Sequence, residues 1–335
     1  MRLLITGTAG FIGFHLARRL LADGHDVLGI DGLTPYYDVE LKIDRHNLLE
    51  QFPRFKKHIF MLEEMPVLLR AARDFEPQAV IHLAAQAGVR YSVENPRAYV
   101  ESNLVGTFNI LELARELKVQ HLLLASTSSV YGGNESMPFR ETDRTAFPVS
   151  LYAATKGASE LLSHSYSHLW NIPTTAFRFF TVYGPWGRPD MALFRFVEAM
   201  LKGEAIEVYN GGAMGRDFTY VDDLVEAVVR LLVAPPARGE PVSADSLSPI
   251  APWRVINIGR GEPVQLMDFI GEIERALGVQ ARFDFRPMQA GDVVQTFADG
   301  SLLETLTGYK PATPISVGVS AFCDWYRNYY GVPVQ

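Results

Sequence analysis

Cysteine is almost absent from this chain of 335 residues, since Cys323 is the single example. One cysteine excludes both a disulfide framework and a zinc site built on thiolates, and we expect no metal. No apolar run approaches the roughly 20 residues that cross a bilayer, and the first residues form a short apolar run broken by glycines, unlike a signal peptide. A chain with a net charge of -7 is not expected to have the basic surface that binding to nucleic acid or to an anionic membrane requires. These absences predict a cytoplasmic protein that binds neither.

Glycines at a regular spacing mark the N-terminal segment. Residues 3–30 read as strand, turn, helix, turn and strand, and the first turn holds Gly7, Gly10 and Gly13. Glycines let the backbone turn closely against a pyrophosphate, whose charge then faces the N–H groups and dipole of the helix. Asp31 ends the second strand, where an acid accepts hydrogen bonds from a ribose diol and favours NAD over NADP. The pattern predicts a dinucleotide site.

The alternation of strand and helix continues through the first half. Residues 79–88 read as a buried parallel strand that runs into a loop of small residues, residues 95–116 as a long amphipathic helix, and residues 119–126 as the next strand. Strands that alternate with helices predict the α/β class and a Rossmann-type, doubly wound parallel sheet, with its binding site at the carboxyl ends of the strands.

A tyrosine and a lysine supply the expected chemistry. Tyr152 and Lys156 stand four residues apart on a helical run, so both side chains lie on one helix face. A free tyrosine has a pKa near 10 and is a poor base at neutral pH. An adjacent ammonium and a positively charged nicotinamide favour the phenolate, which can take a proton from a sugar hydroxyl as a hydride leaves. Four hydroxyl residues in a row, at 126–129, are predicted to lie beside the cofactor.

The glycine spacing resembles that of the extended short-chain dehydrogenases and reductases. Over nearly the whole chain, longer segments are similar to those of the UDP-glucuronate 4-epimerases, among them "AAQAGVRYSVENPRAYVESNLVGT", "LYAATKGASELL", "RFFTVYGPWGRPDMALF", "GRDFTYVDDLVEAV" and "GDVVQTFAD". The resemblance implies an epimerase that interconverts UDP-glucuronate and UDP-galacturonate through a 4-keto sugar, using tightly held NAD. It also implies the catalytic triad Thr127, Tyr152 and Lys156, in which Thr127 lies four positions before the tyrosine of "VYG".

The resemblance further implies which residues contact the cofactor. Met61 departs from the family's pattern, which usually has an aspartate to the adenine amine there, so we expect NAD to be held less well or through backbone alone at this point. Gln289 stands where the UDP-galactose 4-epimerases carry an arginine to the phosphates. The implied NAD contacts are Gly7, Gly10, Phe11, Ile12, Gly13, Asp31, Met61, Leu62, Leu83, Ala84, Ala85, Asn103, Tyr152 and Lys156.

The sugar carboxylate separates the possible reactions. Oxidation at C4 of a glucuronate makes a β-keto acid, which readily loses CO2, so an epimerase must hold the carboxylate firmly. The resemblance places the uncharged hydroxyls of Ser128, Ser129 and Thr181 around the sugar. The UDP-galactose 4-epimerases carry an asparagine at the position of Thr181. The sugar-nucleotide 4,6-dehydratases carry Asp-Glu after the threonine, and the UDP-glucuronate decarboxylases carry a glutamate at the position of Ser129.

Three alternatives stay open beside the uronate epimerase. They are a UDP-glucuronate decarboxylase, a 4-epimerase of neutral UDP-hexoses, and a non-catalytic dinucleotide-binding scaffold. Charged side chains are expected at the substrate phosphates and carboxylate, because guanidinium–oxyanion pairs are strong. The resemblance matches Arg216 to a pyrophosphate arginine and places Arg188 over the nucleotide sugar. Arg90 is expected to reach the sugar carboxylate and Asp292 a ribose hydroxyl, and for each arginine a solvated surface charge is the competing interpretation.

The resemblance also sets the expected organisation of the chain. We expect an NAD-binding domain over residues 1–180, to which residues 220–258 return, and a smaller C-terminal α/β domain over residues 181–335 that mainly binds the UDP-sugar. A homodimer through two long helices is implied by the family. Residues 235–252 are rich in proline and serine without periodicity, which predicts a mobile surface loop, to which no function is assigned.

Overall fold

The computed structural model describes residues 1–288 and 294–333. Within them, a sheet of seven parallel strands has the order β3-β2-β1-β4-β5-β6-β10. Apart from the edge strand β3, which is largely exposed, its strands are mostly buried, which suits a parallel sheet covered on both faces. The expectation of a doubly wound α/β fold is therefore confirmed. These strands are β1 (Arg2–Thr6), β2 (Asp26–Asp31), β3 (Phe55–Ile59), β4 (Ala79–His82), β5 (His121–Thr127), β6 (Thr174–Phe179) and β10 (Trp253–Ile258).

Helices cover the sheet on both faces and build the second half. In chain order they are α1 (Phe11–Ala22), α2 (Val39–Leu49), α3 (Met65–Phe75), α4 (Tyr91–Glu94), α5 (Pro96–Tyr99), α6 (Gly106–Leu117), α7 (Leu151–Trp170), α8 (Ala192–Lys202), α9 (Val221–Leu232), α10 (Leu266–Leu277), α11 (Ser301–Thr307) and α12 (Ile315–Tyr330). On one face of the sheet, α1, α9 and α11 form a core that includes Phe14 and Val228. On the other, α3 and α6 form a core that includes Leu68 and Ile110.

The second half has its own core, separate from those of the large sheet. The side chains of Phe194, Phe269 and Phe322 bring α8, α10 and α12 together over two smaller sheets. The rings of Phe218 and Phe269 stack with their centroids 4.1 Å apart. The strands of these sheets are β7 (Thr181–Tyr183), β8 (Ala205–Tyr209), β9 (Gly215–Tyr220), β11 (Pro263–Gln265), β12 (Arg282–Arg286) and β13 (Gln295–Thr296). The domain boundaries predicted from the sequence stay a prediction.

The long helix predicted over residues 95–116 is interrupted. It consists of α5, a π-helical segment Val100–Val105, and α6. A π-helical turn holds one more residue than an α-helical turn, so it rotates the side chains that follow it. Asn103, inside this segment, is thereby buried against the loop that follows β4.

The surface loop predicted over residues 235–252 is anchored to the large sheet at Asp245, and its mobility stays a prediction. Asp245 forms a buried ion pair with Arg254, the second residue of β10, through two hydrogen bonds of 2.8 Å. The Asp245 carboxylate also accepts the backbone N–H groups of Val242 and Leu247. The proline and serine content of the loop did not reveal this ion pair, which ties the part of the loop around Asp245 to the sheet.

Candidate active site

The main cavity lies at the carboxyl ends of β1, β2, β4 and β5, where ligands bind in doubly wound sheets. Its lining joins the glycine loop to α7 and to the loop that follows β7. The predicted residues in its wall are Gly7, Gly10, Phe11, Ile12, Gly13, Asp31, Met61, Leu62, Leu83, Ala84, Ala85, Thr127, Tyr152, Lys156 and Arg188. The fold therefore brings the expected cofactor residues and the expected catalytic residues into one space.

Two of the glycines are required by space and backbone conformation. Gly7 has a φ of +79°, and a Cβ there would lie 2.8 Å from the backbone nitrogen of Ala84. A Cβ on Gly13 would lie 2.0 Å from the carbonyl oxygen of Gly7, so only glycine lets α1 pack against the loop. Because α1 begins at Phe11, the N–H groups of its first turn have no acceptor within the helix. They can bind a pyrophosphate, as NAD requires.

Asp31 can both fix the local backbone and bind a ligand. Its Oδ2 accepts the N–H of Ala9 at 2.9 Å, and its Oδ1 accepts the N–H of Leu33 at the same distance. A carboxylate offers about four lone-pair sites, so acceptor capacity is left for ribose hydroxyls on the cavity side. Asp31, which can accept hydrogen bonds from a ribose, thus also fixes the glycine loop.

The end of the cavity where the adenine is predicted to lie is apolar. Met61 and Leu62 line it, and the Met61 sulfur packs against Gly32, where a Cβ would lie 2.3 Å from it. The carbonyl of Leu62 accepts a hydrogen bond of 2.8 Å from Asn109 Nδ2. Because Met61 offers no carboxylate, any polar contact that this residue makes with an adenine amine uses its backbone.

Asn103 lies behind the cavity wall instead of in it. Its Oδ1 accepts the N–H of Gln86 at 2.8 Å, and its Nδ2 donates to the carbonyl of Gln86 and to Thr155 Oγ1. Gln86 itself lines the cavity. Asn103 therefore holds the wall in place, and its direct contact with NAD stays a prediction.

Thr127, Tyr152 and Lys156 converge from two elements. Thr127 is the last residue of β5, and α7 brings Tyr152 and Lys156 into the wall on successive turns. Ser150 caps α7, because its Oγ accepts the N–H of Ala153 at 3.1 Å. The cap fixes the start of the helix one turn before Lys156 and so fixes the position of Tyr152.

Burial controls the protonation of this pair. Burial raises the pKa of Tyr152, while the Thr127 hydroxyl and the positive charge of Arg188 oppose the rise. Burial also lowers the pKa of Lys156 to about 8, and the negative charge of Glu160 opposes that change. The sequence argument predicted a lowered pKa for the tyrosine, but desolvation of the phenol is the larger effect here. Tyr152 thus needs further positive charge beside it to act as a base.

The four hydroxyl residues divide into separate roles. Ser126 Oγ donates a hydrogen bond of 2.5 Å to Glu160 Oε1, which links β5 to α7. Arg178 donates to both oxygens of Glu160, at 3.0 and 2.7 Å. Ser128 and Ser129 begin a 3₁₀ turn, in which Thr127 Oγ1 accepts the N–H of Ser129 and also donates to its Oγ. Local capping therefore accounts for part of the cluster, and substrate contact by Ser128 and Ser129 stays a prediction.

The predicted arginines lie in different places. Arg188 lines the cavity and pairs with Asp190, whose oxygens lie 3.0 Å from Nε and 2.5 Å from Nη2. Arg90 is exposed, with its guanidinium 5.2 Å from the centre of the Tyr209 ring. Arg216 lies on β9 and donates to the carbonyls of Gly215 and Val294. Contact of Arg90 with the sugar carboxylate stays a prediction.

Of the two remaining predicted substrate residues, the structure describes only Thr181. Thr181 begins β7, directly after the cavity residue Phe180, and pairs with Phe218 of β9. Asp292 falls outside the described residues, as does Gln289. The contacts of both Thr181 and Asp292 with a substrate stay predictions.

No residue predicted from the sequence lies in one wall of the cavity, which is formed by Thr34, Tyr36, Tyr37 and Lys42. Lys42 Nζ donates to the carbonyl of Thr34 at 2.6 Å and lies 4.4 Å from the centre of the Tyr37 ring. The available signal was a tyrosine pair soon after the ribose acid, followed by a lysine on a short helix. Such a run is common on surfaces, so the sequence alone did not distinguish it.

Two classes of site find no support in the described residues. No group of three or more histidines, cysteines, aspartates or glutamates there is arranged to hold a metal ion. None of the described helices has both the length and the apolar character needed to cross a membrane.

Comparisons with known proteins agree with this geometry. The pattern of the NAD dependent epimerase/dehydratase family matches residues 3–244. The chain is 57% identical to a probable UDP-glucuronate 4-epimerase of Rhizobium meliloti (strain 1021), over 98% of both chains. It is 42% identical to UDP-glucuronate 4-epimerase 2 of Arabidopsis thaliana, over 98% of this chain and 76% of that one. A crystal structure of the UDP-glucuronic acid 4-epimerase of Bacillus cereus with UDP-glucuronic acid and NAD superposes with a TM-score of 0.88, at 34% identity, over 98% of this chain and 100% of that one.

Proposed function

Because the chain belongs to the NAD dependent epimerase/dehydratase family, we propose that it inverts C4 of a UDP-hexuronate and interconverts UDP-glucuronate and UDP-galacturonate. The observation that carries this proposal is the joining of the dinucleotide loop with Thr127, Tyr152 and Lys156 in one cavity. Relatives named UDP-glucuronate 4-epimerase cover nearly all of this chain. The protein is an NAD-dependent isomerase.

The cavity residues divide the work between them. Bound NAD accepts the C4 hydride and later returns it. As the phenolate, Tyr152 takes the proton of the 4-hydroxyl and becomes a neutral phenol, and the Thr127 hydroxyl stabilises the phenolate before this transfer. Lys156 supplies positive charge on the same helix face, while Glu160 keeps that charge favourable in a buried place. On return, Tyr152 gives its proton back to the oxygen at C4, so no net oxidation occurs.

The carboxylate is retained by groups that carry no negative charge. We propose that Ser128, Ser129 and Thr181 donate hydrogen bonds around the sugar and that Arg188 supplies a positive charge. Positions 128 and 129 are both serine, so neither the glutamate expected of a decarboxylase nor the acid pair expected of a dehydratase is present there. Arg216, Arg90 and Asp292 are proposed to contact the phosphates, the carboxylate and a ribose, respectively.

We also propose a homodimer in the cytoplasm. Apolar side chains are exposed along the π-helical segment, α6 and α7: Val100, Val105, Phe108, Leu161 and Leu169. Contiguous exposed apolar surface marks an interaction site in a stable protein. A second copy would cover both helices, as the family resemblance implies. A single buried cysteine is in keeping with a reducing compartment.

The test is to incubate the purified protein with UDP-glucuronate, with no NAD added, and to identify the products by NMR. We expect UDP-galacturonate to accumulate to a stable mixture, which also shows that NAD remains bound. The Tyr152→Phe variant is the matched control, with turnover reduced about 10²–10⁴-fold while NAD stays bound. A UDP-pentose would identify a decarboxylase instead. Conversion of UDP-glucose but not of UDP-glucuronate would identify an epimerase of neutral sugars, and both results contradict the proposal.

A further inference from the structure

Arg45 is a completely buried cation in α2 without an acidic partner. Its side chain has 0% exposure, and among the described residues no carboxylate forms an ion pair with it. Its Nε has no hydrogen-bond partner. An unpaired buried charge costs several kcal/mol. The hydrogen bonds that the guanidinium donates must therefore offset this cost.

The two ends of the guanidinium bind two different loops. Nη1 donates to the carbonyl of Ala9 at 2.7 Å and to the hydroxyl of Tyr37 at 2.8 Å. Nη2 donates to the carbonyl of Trp186 at 2.7 Å and, more weakly, to that of Gly187 at 3.4 Å. Arg45 therefore joins two segments that are far apart in the sequence.

Each of these loops belongs to one half of the active site. Ala9 lies in the glycine loop that faces the cofactor, and Asp31 holds its N–H. With Arg45 on its carbonyl and Asp31 on its N–H, the peptide groups on both sides of Ala9 are fixed. Trp186 lies two residues before Arg188, the arginine of the cavity wall, and its φ of +59° is uncommon outside glycine.

A second and more exposed contact follows the same route. Tyr36 lies in the loop between Asp31 and α2, and its hydroxyl donates to Asp190 Oδ2 at 3.1 Å. Asp190 in turn holds Arg188 by Nε and Nη2. Helix α2 and the loop before it thus contact the loop of Arg188 twice, once in the interior through Arg45 and once near the surface through Tyr36.

We propose that Arg45 is a positioning residue that couples the glycine loop to the loop of Arg188, so that NAD and the nucleotide sugar strengthen each other's binding. The inference rests on the proposed function, since it takes NAD and a UDP-sugar as the two ligands. A flat guanidinium can satisfy both loops only when both are in place, because its donors point in fixed directions. A ligand that fixes one loop therefore favours the position of the other, and by linkage the effect is reciprocal.

The test measures coupling without turnover. The rate of NAD release is measured by rapid filtration with and without saturating UDP, which takes the place of the nucleotide part of the substrate. In the wild-type protein we expect UDP to slow release about tenfold, a usual size for coupling between sites. Arg45→Lys keeps the charge but loses the flat guanidinium with its donors in fixed directions. In this variant we expect UDP to slow NAD release less than about twofold and the KM for UDP-glucuronate to be higher.

Tyr329→Phe is the matched control. It removes a hydroxyl that donates to Asp44 at 2.5 Å on the same helix α2, yet it touches neither carbonyl that Arg45 binds. This variant is expected to keep the wild-type ratio, so a general loosening of α2 is distinguished from loss of the link. A folded Arg45→Lys protein with the wild-type ratio would overturn the inference.

Two further outcomes are decisive without any variant. A wild-type protein that binds UDP by calorimetry but gives a ratio of one overturns the coupling. Failure to bind UDP at all overturns the proposed function instead. Should Arg45→Lys not fold, hydrogen exchange on the wild-type protein decides, since UDP is expected to slow exchange severalfold at residues 9–13, and unchanged exchange there overturns the inference.

Discussion

Replacing the proposed catalytic lysine should make the protein more stable. Lys156 has 3% exposure, and its neighbour Glu160 is already paired with Arg178. Burial lowers the pKa of Lys156 from 10.5 to about 8. A fall of that size corresponds to roughly 3 kcal/mol that the folded state loses by holding the ammonium at neutral pH. Lys156→Met keeps the length of the side chain without the charge, so we expect a gain of roughly 3 kcal/mol in the free energy of unfolding.

The assay is urea unfolding of NAD-free protein at pH 7 and at one protein concentration. The exposed lysine Lys310 provides the control, because Lys310→Met should change stability by less than about 0.5 kcal/mol. The sign of the pH effect is fixed by the direction of the shift. The folded protein releases the Lys156 proton near pH 8, and the unfolded chain releases it near pH 10.5. The wild-type protein therefore gains stability as the pH rises from 8 to 10.5. The stability advantage of Lys156→Met over the wild type disappears by pH 10.5. A Lys156→Met protein that is less stable than the wild type at pH 7 would refute the reasoning.

Two further substitutions test the backbone and the loop that follows α9. Gly13→Ala places a Cβ 2.0 Å from a backbone oxygen. We therefore expect the free energy of unfolding to fall by at least roughly 1–3 kcal/mol and the purified protein to contain little NAD. Gly271→Ala is the control, because the atom nearest to its Cβ is 3.9 Å away, and it should retain NAD fully. Asp245→Asn breaks the buried pair with Arg254 and should lower stability by about 3–5 kcal/mol, with unchanged turnover per folded molecule. Thermal unfolding checks this against Asp284→Asn, an exposed pair worth about 1 kcal/mol or less, and equal losses in the two would contradict it.

The sequence predicted those features that depend on neighbours along the chain. The spacing of Gly7, Gly10 and Gly13 and that of Tyr152 and Lys156 are local, because one turn or one helix face determines their geometry. The strands β1, β2, β4 and β5 of the large sheet were predictable for a similar reason, since apolar runs of this length are buried in parallel sheets. These elements gave the fold class and the main residues of the cavity.

Contacts between distant segments were not predictable in this way. Arg45 reaches Ala9 and Trp186 across 36 and 141 positions of sequence, and no spacing rule connects such residues. The same holds for the ion pair of Asp245 with Arg254, which the proline and serine content of the loop did not reveal. Burial decides both cases, and burial depends on the complete fold. The π-helical segment around Asn103 was missed because a helical pattern does not show a local extra residue.

The strand order has a consequence for how this protein is made. β6 lies between β5 and β10, and all six of its residues are buried. When a ribosome has released only the first 180 or so residues, β6 has one partner and an uncovered edge, which is a template for pairing with another chain. The chain between β6 and β10 must emerge before the sheet is complete, and long-range parallel pairing is slow. The nascent enzyme therefore passes through a period in which its largest sheet has an open apolar side, and a chaperone that shields edges during synthesis would act at this stage.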